Sequence, residues 1–190
     1  MDHTIAHDLE RAQDEVSASS AGGAPFLIAY GLTLFVTAIL YFFLPIQVVA
    51  LVAMFQGSLA LPLAFWLERR LGAGPMSPDN PLRPLSVQMA MSQILALPAV
   101  IVVYSLEPRL VPVVLAAVGG AHFLTYAWLH RTRLYAVLAV AVSLGAFVLQ
   151  LFLRSAAFPY ILIYMSLVYW ILSPLVYRHA ASFSSRVIAR

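Results

Sequence analysis

Long apolar runs constrain this chain more than any other feature of its sequence. Six runs of about 20 residues contain almost no charged side chains. A helix needs about 20 apolar residues to cross a bilayer, because the hydrocarbon core is roughly 30 Å thick. The pattern predicts an all-α integral membrane protein, a six-transmembrane-helix bundle. The predicted spans are residues 25–44, 46–67, 86–106, 110–129, 134–153 and 158–177.

The composition excludes several classes of protein. Of the 190 residues, 62% are hydrophobic and only 10% are charged, whereas soluble domains carry about 25% charged residues. This excludes a disordered chain, a water-soluble enzyme and a nucleic-acid-binding module, so no nucleic acid is expected as a partner. The chain has no cysteine, which excludes disulfides and thiolate catalysis. It also has no lysine, which excludes Schiff-base chemistry.

The arginines predict the orientation of the bundle in the cell membrane. Cytoplasmic loops are enriched in arginine and lysine. With the N-terminus inside, nine arginines lie on the cytoplasmic side, and only Arg109 and Arg154 lie outside. The chain is therefore predicted to be N-in/C-in, as in a bacterial inner membrane protein. The nine are Arg11, Arg69, Arg70, Arg83, Arg131, Arg133, Arg178, Arg186 and Arg190.

The two ends of the chain differ in character from the membrane domain, residues 24–178. Residues 1–23 carry five acids and one arginine, and they lack the basic start of a signal peptide. Ile5, Leu9, Ala12 and Val16 form one apolar stripe, which predicts a short amphipathic cytoplasmic helix followed by a linker. Residues 179–190 are predicted to form a basic cytoplasmic tail.

Three local strings resemble a known group of proteins. They are Gly-Ala-Pro-Phe-Leu at residues 23–27, Asn-Pro-Leu at residues 80–82, and Gly-Ala-His-Phe-Leu-Thr-Tyr-Ala-Trp-Leu at residues 120–129. These strings are similar to an uncharacterised family of small bacterial multi-pass membrane proteins, classed as a domain of unknown function. The resemblance covers most of the chain from about residue 20. It implies a membrane protein and no particular activity.

His122 is the one ionisable side chain deep inside a predicted span. It lies nine residues before Arg131, which is about 13 Å along a helix and close to the bilayer midplane. Ionisable residues are costly there and mark a functional site by default. Tyr126 and His130 follow at intervals of four residues, so one polar stripe is expected from the midplane to the cytoplasmic surface.

Prolines predict interrupted helices at a similar depth in two other spans. Pro62 frees the carbonyl of Ser58, and Pro98 frees that of Ile94, next to Gln93. Interrupted spans near the midplane often mark a transport site, so we predict a polar cavity open to the cytoplasm. The predicted ligand-binding residues are His122, Tyr126, Gln93, Ser58 and Thr125, with helix breaks or close approaches at Pro62, Pro98, Gly119 and Gly120.

Two polar segments outside the spans have structural and functional interpretations. In the cytoplasmic loop, Asp79, Asn80 and Arg83 could cap the third membrane helix or contact lipid headgroups, and we favour a structural clamp. His3 and His7 have the spacing of a metal pair, but a solvated helix face is the simpler interpretation. Neither a metal nor a cofactor is predicted.

The leading functional prediction is the binding or passage of a small polar solute or ion at the midplane site. A purely structural role for His122, locking two helices, remains open. So does a non-catalytic scaffold or regulator that presents its N-terminal helix to a partner. A third alternative is an interfacial lipid-modifying enzyme built on His130, Asp79 and Glu68, although no catalytic constellation is recognised. A homo-oligomer is compatible with the small size of the bundle.

Overall fold

The computed structural model describes residues 3–188, and the side chains of residues 7–183. Within that range the chain forms helices and short connections, without a strand. This confirms the all-α prediction. The helices are α1 His3–Ser19, α2 Ala24–Leu40, α3 Ile46–Phe55, α4 Gly57–Leu71, α5 Arg83–Leu95, α6 Leu97–Leu106, α7 Val111–Leu129, α8 Leu134–Leu153 and α9 Ala157–Ile188.

Five continuous helical stretches in the described range are long and apolar enough to cross a membrane. The last, Leu134–Phe183, is 50 residues long and contains a single-turn interruption at Arg154–Ala156. Because α8 and α9 pack side by side on either side of this turn, the stretch contains two of the six predicted spans. The other four stretches each correspond to one predicted span.

Small residues let the helices at the centre of the bundle approach closely. α2 packs along α9, and α7 packs along α8. A side chain on Gly120 of α7 would collide with the Ser143 Oγ of α8 and lie 2.8 Å from the Ala139 carbonyl oxygen. Gly31 of α2 similarly faces the indole of Trp170 on α9. Helix packing in a membrane depends on such close contact, because lipid tails are as apolar as the side chains.

Two of the membrane stretches are interrupted, as the prolines predict, but not at the prolines themselves. The first interruption is at Gln56, between α3 and α4, and Pro62 lies inside α4. The second is at Ala96, between α5 and α6, just before Pro98. A proline bends a helix on its N-terminal side, where its ring meets the preceding turn. Both interruptions lie on that side of the proline.

α1 lies against one end of the bundle, where it packs on α9 and α7. Ala12 and Val16 are buried in a small cluster with Leu82, Met89 and Leu129, so these members of the predicted apolar stripe face inward. Ile5 lies outside the described side chains. The apolar face of α1 is therefore occupied by the chain's own residues.

Candidate functional site

A row of aromatic and imidazole rings extends along α7. The His122 and Tyr126 ring centroids are 4.8 Å apart, and those of Tyr126 and His130 are 5.7 Å apart and stacked. The row continues to Tyr135 of α8, whose ring stacks on His130 at 5.3 Å. The intervals of four residues place the α7 side chains on one face of the helix.

The row is closed at its His130 end, contrary to the prediction that it reaches the cytoplasmic surface. His130 is only 3% exposed, because α1 covers it and places the Ser17 Oγ 3.1 Å from its Nδ1. The Nε2 of His179 donates to the His130 carbonyl oxygen at 3.1 Å. Burial lowers the pKa of His130 to about 3, and His179 acts in the same direction. The imidazole is therefore neutral at physiological pH.

Three tyrosines from three helices lie in the same region beside this row, and we call them the tyrosine cluster. They are Tyr30 of α2, Tyr126 of α7 and Tyr169 of α9. The hydroxyl of Tyr30 lies close enough to the other two to interact with both electrostatically. Tyr169 is only 5% exposed. The cluster therefore joins α2, α7 and α9 inside the bundle.

None of the three hydroxyls has a hydrogen-bond partner among residues 7–183. By contrast, the hydroxyl of Tyr135 donates to the Gly22 carbonyl oxygen at 2.6 Å. In the described part of the chain, Gln150 Oε1 is the one fully buried side-chain polar atom without a partner. The three tyrosine oxygens therefore keep accessible surface, even though the rings that carry them are largely buried. Buried hydroxyls normally find partners, so these three groups retain unused hydrogen-bonding capacity.

Two glycines and an amide border the tyrosine cluster. A Cβ on Gly57 would lie 3.1 Å from the Tyr30 hydroxyl, and one on Gly119 would lie 3.8 Å from the Tyr169 hydroxyl. Gln56 is buried next to Gly57, and its Oε1 accepts a hydrogen bond from the Thr33 Oγ1 at 2.8 Å. The cluster thus offers hydroxyl and amide groups, and none of these residues is charged.

The structure brings some of the sequence-predicted residues together at the edge of the tyrosine cluster. His122 contacts Tyr126, and its Nδ1 lies 3.4 Å from the Ser92 Oγ of α5. Thr125 is exposed, and its Oγ1 donates to the His122 carbonyl oxygen at 2.7 Å. The Nε2 of Gln93 is 3.5 Å from the Val118 carbonyl oxygen of α7. His122 and Gln93 therefore both connect α5 to α7.

Ser58 lies apart from these residues. It is exposed on α4, and its Oγ donates to the Phe55 carbonyl oxygen at 2.6 Å. The two predicted glycines also have different neighbours. Gly120 faces α8, while Gly119 borders the tyrosine cluster. Sequence reasoning missed Tyr30 and Tyr169. Tyr169 could have been noticed, because it lies in the middle of its span rather than at a membrane interface, where tyrosine is common.

The loop between α4 and α5 and the acidic residues of α1 hold α1 in place. Asn80 is buried, and its Nδ2 donates to the Ala12 carbonyl oxygen at 3.1 Å and to the Glu15 Oε2 at 2.9 Å. On the other side of α1, Arg131 pairs with Glu10 and Asp14, each at 3.2 Å. This arrangement has the form of the predicted clamp, with Asn80 at its centre.

The other loop and α1 residues named from the sequence have different positions. Asp79 and Arg83 are exposed, and the backbone N–H of Asp79 donates to the Ser77 Oγ at 3.2 Å. The side chain of His3 lies outside the described residues. No group of three or more metal-ligating side chains occurs in the part of the chain that the structure describes.

Comparison with known proteins gives one match. A family model with the description "Family of unknown function (DUF7010)" matches residues 9–179, from α1 into α9. This confirms the predicted resemblance to an uncharacterised family. Neither a curated protein nor a solved structure matches the chain.

Proposed function

We propose that this chain, which belongs to the family of unknown function DUF7010, is a multi-pass membrane protein that passes a small, uncharged polar solute through the tyrosine cluster. Because the family has no assigned activity, the proposal rests on the residues of this chain. The observation that carries it is that three tyrosine hydroxyls from three helices, in one largely buried region, have no hydrogen-bond partner among residues 7–183. His122 and Gln56 are the neighbouring groups that would add hydrogen bonds to the solute.

The chemistry of the tyrosine cluster favours an uncharged solute over an ion. Burying an ion away from water is costly unless an opposite charge or a dense set of ligands compensates for it. Tyrosine hydroxyls, the Gln56 amide and the His122 imidazole supply hydrogen bonds, and no carboxylate or guanidinium group belongs to the set. A neutral molecule that both donates and accepts hydrogen bonds fits this set. We therefore narrow the sequence prediction of a solute or ion to a neutral solute.

The route to the tyrosine cluster follows from two features of the bundle. At one end, α1 and His130 close the row of rings, so the solute would pass there only when α1 moves. Along the side, α4 packs on α2 and α5 packs on α7, so the boundary between α4 and α5 is the proposed lateral way in. The arginine distribution supports cytoplasmic termini, so α1 would act as an inner gate.

The test is solute flux into liposomes that contain the purified protein. Water, glycerol and urea are the probes, and stopped-flow light scattering reports the rate of swelling. We expect the wild type to accelerate at least one of the three above empty liposomes. Gly119→Leu would place a side chain beside the Tyr169 hydroxyl and abolish that flux. Ala121→Leu, on the exposed face of the same helix, is the matched control and retains it.

Two results would refute this function. One is a wild type that matches empty liposomes for all three probes. The other is equal flux through Gly119→Leu and Ala121→Leu, because the solute would then bypass the tyrosine cluster. Both variants are reconstituted at the same density and checked for folding by circular dichroism, so that loss of protein is not counted as loss of flux.

The two alternative functions have less support. A scaffold could present only the acidic face of α1, where Glu10 and Asp14 already pair with Arg131, since Ala12 and Val16 are buried against the bundle. An interfacial enzyme that uses His130 as a base would need that imidazole to reach lipid, and α1 covers it. The enzyme alternative therefore depends on the release of α1, whereas the proposed solute site does not.

A further inference from the structure

An open cavity lies at the end of the bundle opposite α1. It has a volume of about 500 Å³ and lies where the turn between α6 and α7 meets the turn between α8 and α9. Arg109 comes from the first turn, Arg154 and Ser155 from the second, and Gln150 from the last turn of α8. Two arginines far apart in sequence therefore line one space.

Neither guanidinium group has a partner within the described part of the chain. Both ion pairs there are made by Arg131. Glu107 also lines the cavity, but its Oε1 accepts a hydrogen bond from the Arg109 backbone N–H at 3.2 Å and so caps the turn. The cavity thus presents two unpaired positive charges against one carboxylate that the backbone already uses. This charge balance favours an anionic guest.

The backbone and the amide at the second turn are also unusual. Arg154 has a φ of 49°, a left-handed conformation that non-glycine residues rarely adopt. The Gln150 Nε2 donates to the Arg154 carbonyl oxygen at 3.1 Å, which holds the turn in that conformation. The Oε1 of the same amide is buried without a partner, so it needs a hydrogen-bond donor. Strained residues and unpaired polar atoms concentrate where a guest binds.

We propose that this cavity binds a phosphate ester that carries a free hydroxyl group. The Arg109 and Arg154 guanidinium groups would bind the phosphate oxygens, because their planar donors match that geometry. The hydroxyl would donate to the Gln150 Oε1 after a small rotation of the amide. A lipid headgroup such as phosphatidylglycerol and a free ester such as glycerol 3-phosphate share this chemistry. The cavity is separate from the tyrosine cluster and does not depend on it.

The experiment compares these two sources. Native mass spectrometry of the detergent-solubilised protein counts the phosphatidylglycerol molecules bound after titration. Phosphatidylcholine is the control lipid, because its headgroup has no hydrogen-bond donor and no net charge. In a parallel arm, isothermal titration calorimetry measures glycerol 3-phosphate. The test variant is Arg109→Gln/Arg154→Gln. The control is Arg69→Gln/Arg70→Gln, which removes the same charge from exposed positions at the other end of the bundle.

We expect the wild type and the control to bind phosphatidylglycerol about tenfold more tightly than the test variant. Binding of phosphatidylcholine should be equal in all three proteins. A response to glycerol 3-phosphate that depends on Arg109 and Arg154 would identify the free ester as the source. If the test variant matches the wild type in both arms, or if the control loses as much affinity, the cavity is not a phosphate site. The single variant Gln150→Leu should weaken binding while leaving both arginines in place.

Discussion

At the residue scale, most buried polar groups in the described part of this protein have a hydrogen-bond partner, and the exceptions identify its candidate sites. The Tyr135 hydroxyl, the Ser17 Oγ and the Asn80 amide all have partners within the chain. The hydroxyls of Tyr30, Tyr126 and Tyr169 have none among residues 7–183. In a membrane there is no bulk water to satisfy such groups, so the contrast distinguishes groups that hold the fold from groups that are free for a guest.

Removing the Tyr135 hydroxyl should destabilise the fold. Tyr135→Phe leaves the buried Gly22 carbonyl oxygen without the donor that it has at 2.6 Å. We expect a loss of about 1–2 kcal/mol in the free energy of unfolding, measured by denaturant titration in detergent. Tyr160→Phe, at an exposed position, is the control and should be neutral. Equal stability of the two variants would contradict the role assigned to this hydrogen bond.

Acidification should loosen the contact between α1 and His130. The folded pKa of His130 is about 3, below its unfolded value of about 6.5. Between these values the unfolded state binds more protons, so stability decreases as the pH falls below about 6.5. At pH 5 the loss is about 2 kcal/mol. Hydrogen–deuterium exchange should therefore show faster exchange of α1 amides at pH 5 than at pH 7.5, after correction for intrinsic rates.

His130→Gln is the control for this pH effect, because glutamine cannot titrate and keeps a polar group near Ser17. Its corrected α1 exchange should differ little between pH 5 and pH 7.5. If the wild type and this variant respond alike, another group controls α1. Glu10 and Asp14, which pair with Arg131, are then the first groups to replace.

At the element scale, two neighbouring glycines of α7 should tolerate substitution differently. A Cβ at Gly120 would collide with Ser143 of α8, while a Cβ at Gly119 meets only the Tyr169 hydroxyl at an ordinary distance. Gly120→Ala should destabilise the protein by about 1–3 kcal/mol, and Gly119→Ala should be close to neutral. Thermal unfolding of both variants in one detergent tests this. Equal shifts would mean that α7 and α8 adjust freely.

The helices follow from the sequence more directly than the contacts between them. A run of about 20 apolar residues in a bilayer has to be helical, because only then are its backbone groups satisfied. The docking of α1 depends on polar residues that look solvent-facing in sequence. Gln13 donates to the Trp128 carbonyl oxygen at 3.0 Å, and Ser17 contacts His130. Only the tertiary arrangement turns these side chains inward.

The tyrosine cluster could not be predicted from the sequence, because it too depends on the tertiary arrangement. Tyr30 and Tyr169 belong to the first and last membrane helices, and no local pattern connects them. His122 and Tyr126 could be found, because they share one face of α7 at an interval of four residues. Ser58 was predicted from the proline that follows it, but the helix is interrupted at Gln56 instead. The amide at that break borders the cluster.

At the scale of the whole molecule, the orientation in the membrane can be tested by chemical labelling. The chain has no cysteine, so a single introduced thiol reports its own location. Asp79→Cys and Ser155→Cys lie at exposed positions at opposite ends of the bundle. In intact cells, a membrane-impermeant maleimide should label Ser155→Cys and spare Asp79→Cys until the cells are lysed. The reverse pattern would invert the orientation predicted from the arginines.

The packing of α1 against α9 sets an order for biosynthesis. α1 leaves the ribosome before α9, the helix that supports it. A nascent chain arrested before residue 157 would have its N-terminal helix without that support, and a protease on the same side of the membrane could cut it. Synthesis of the final helix would then protect the first one, so resistance to cleavage would report that the whole chain has been inserted.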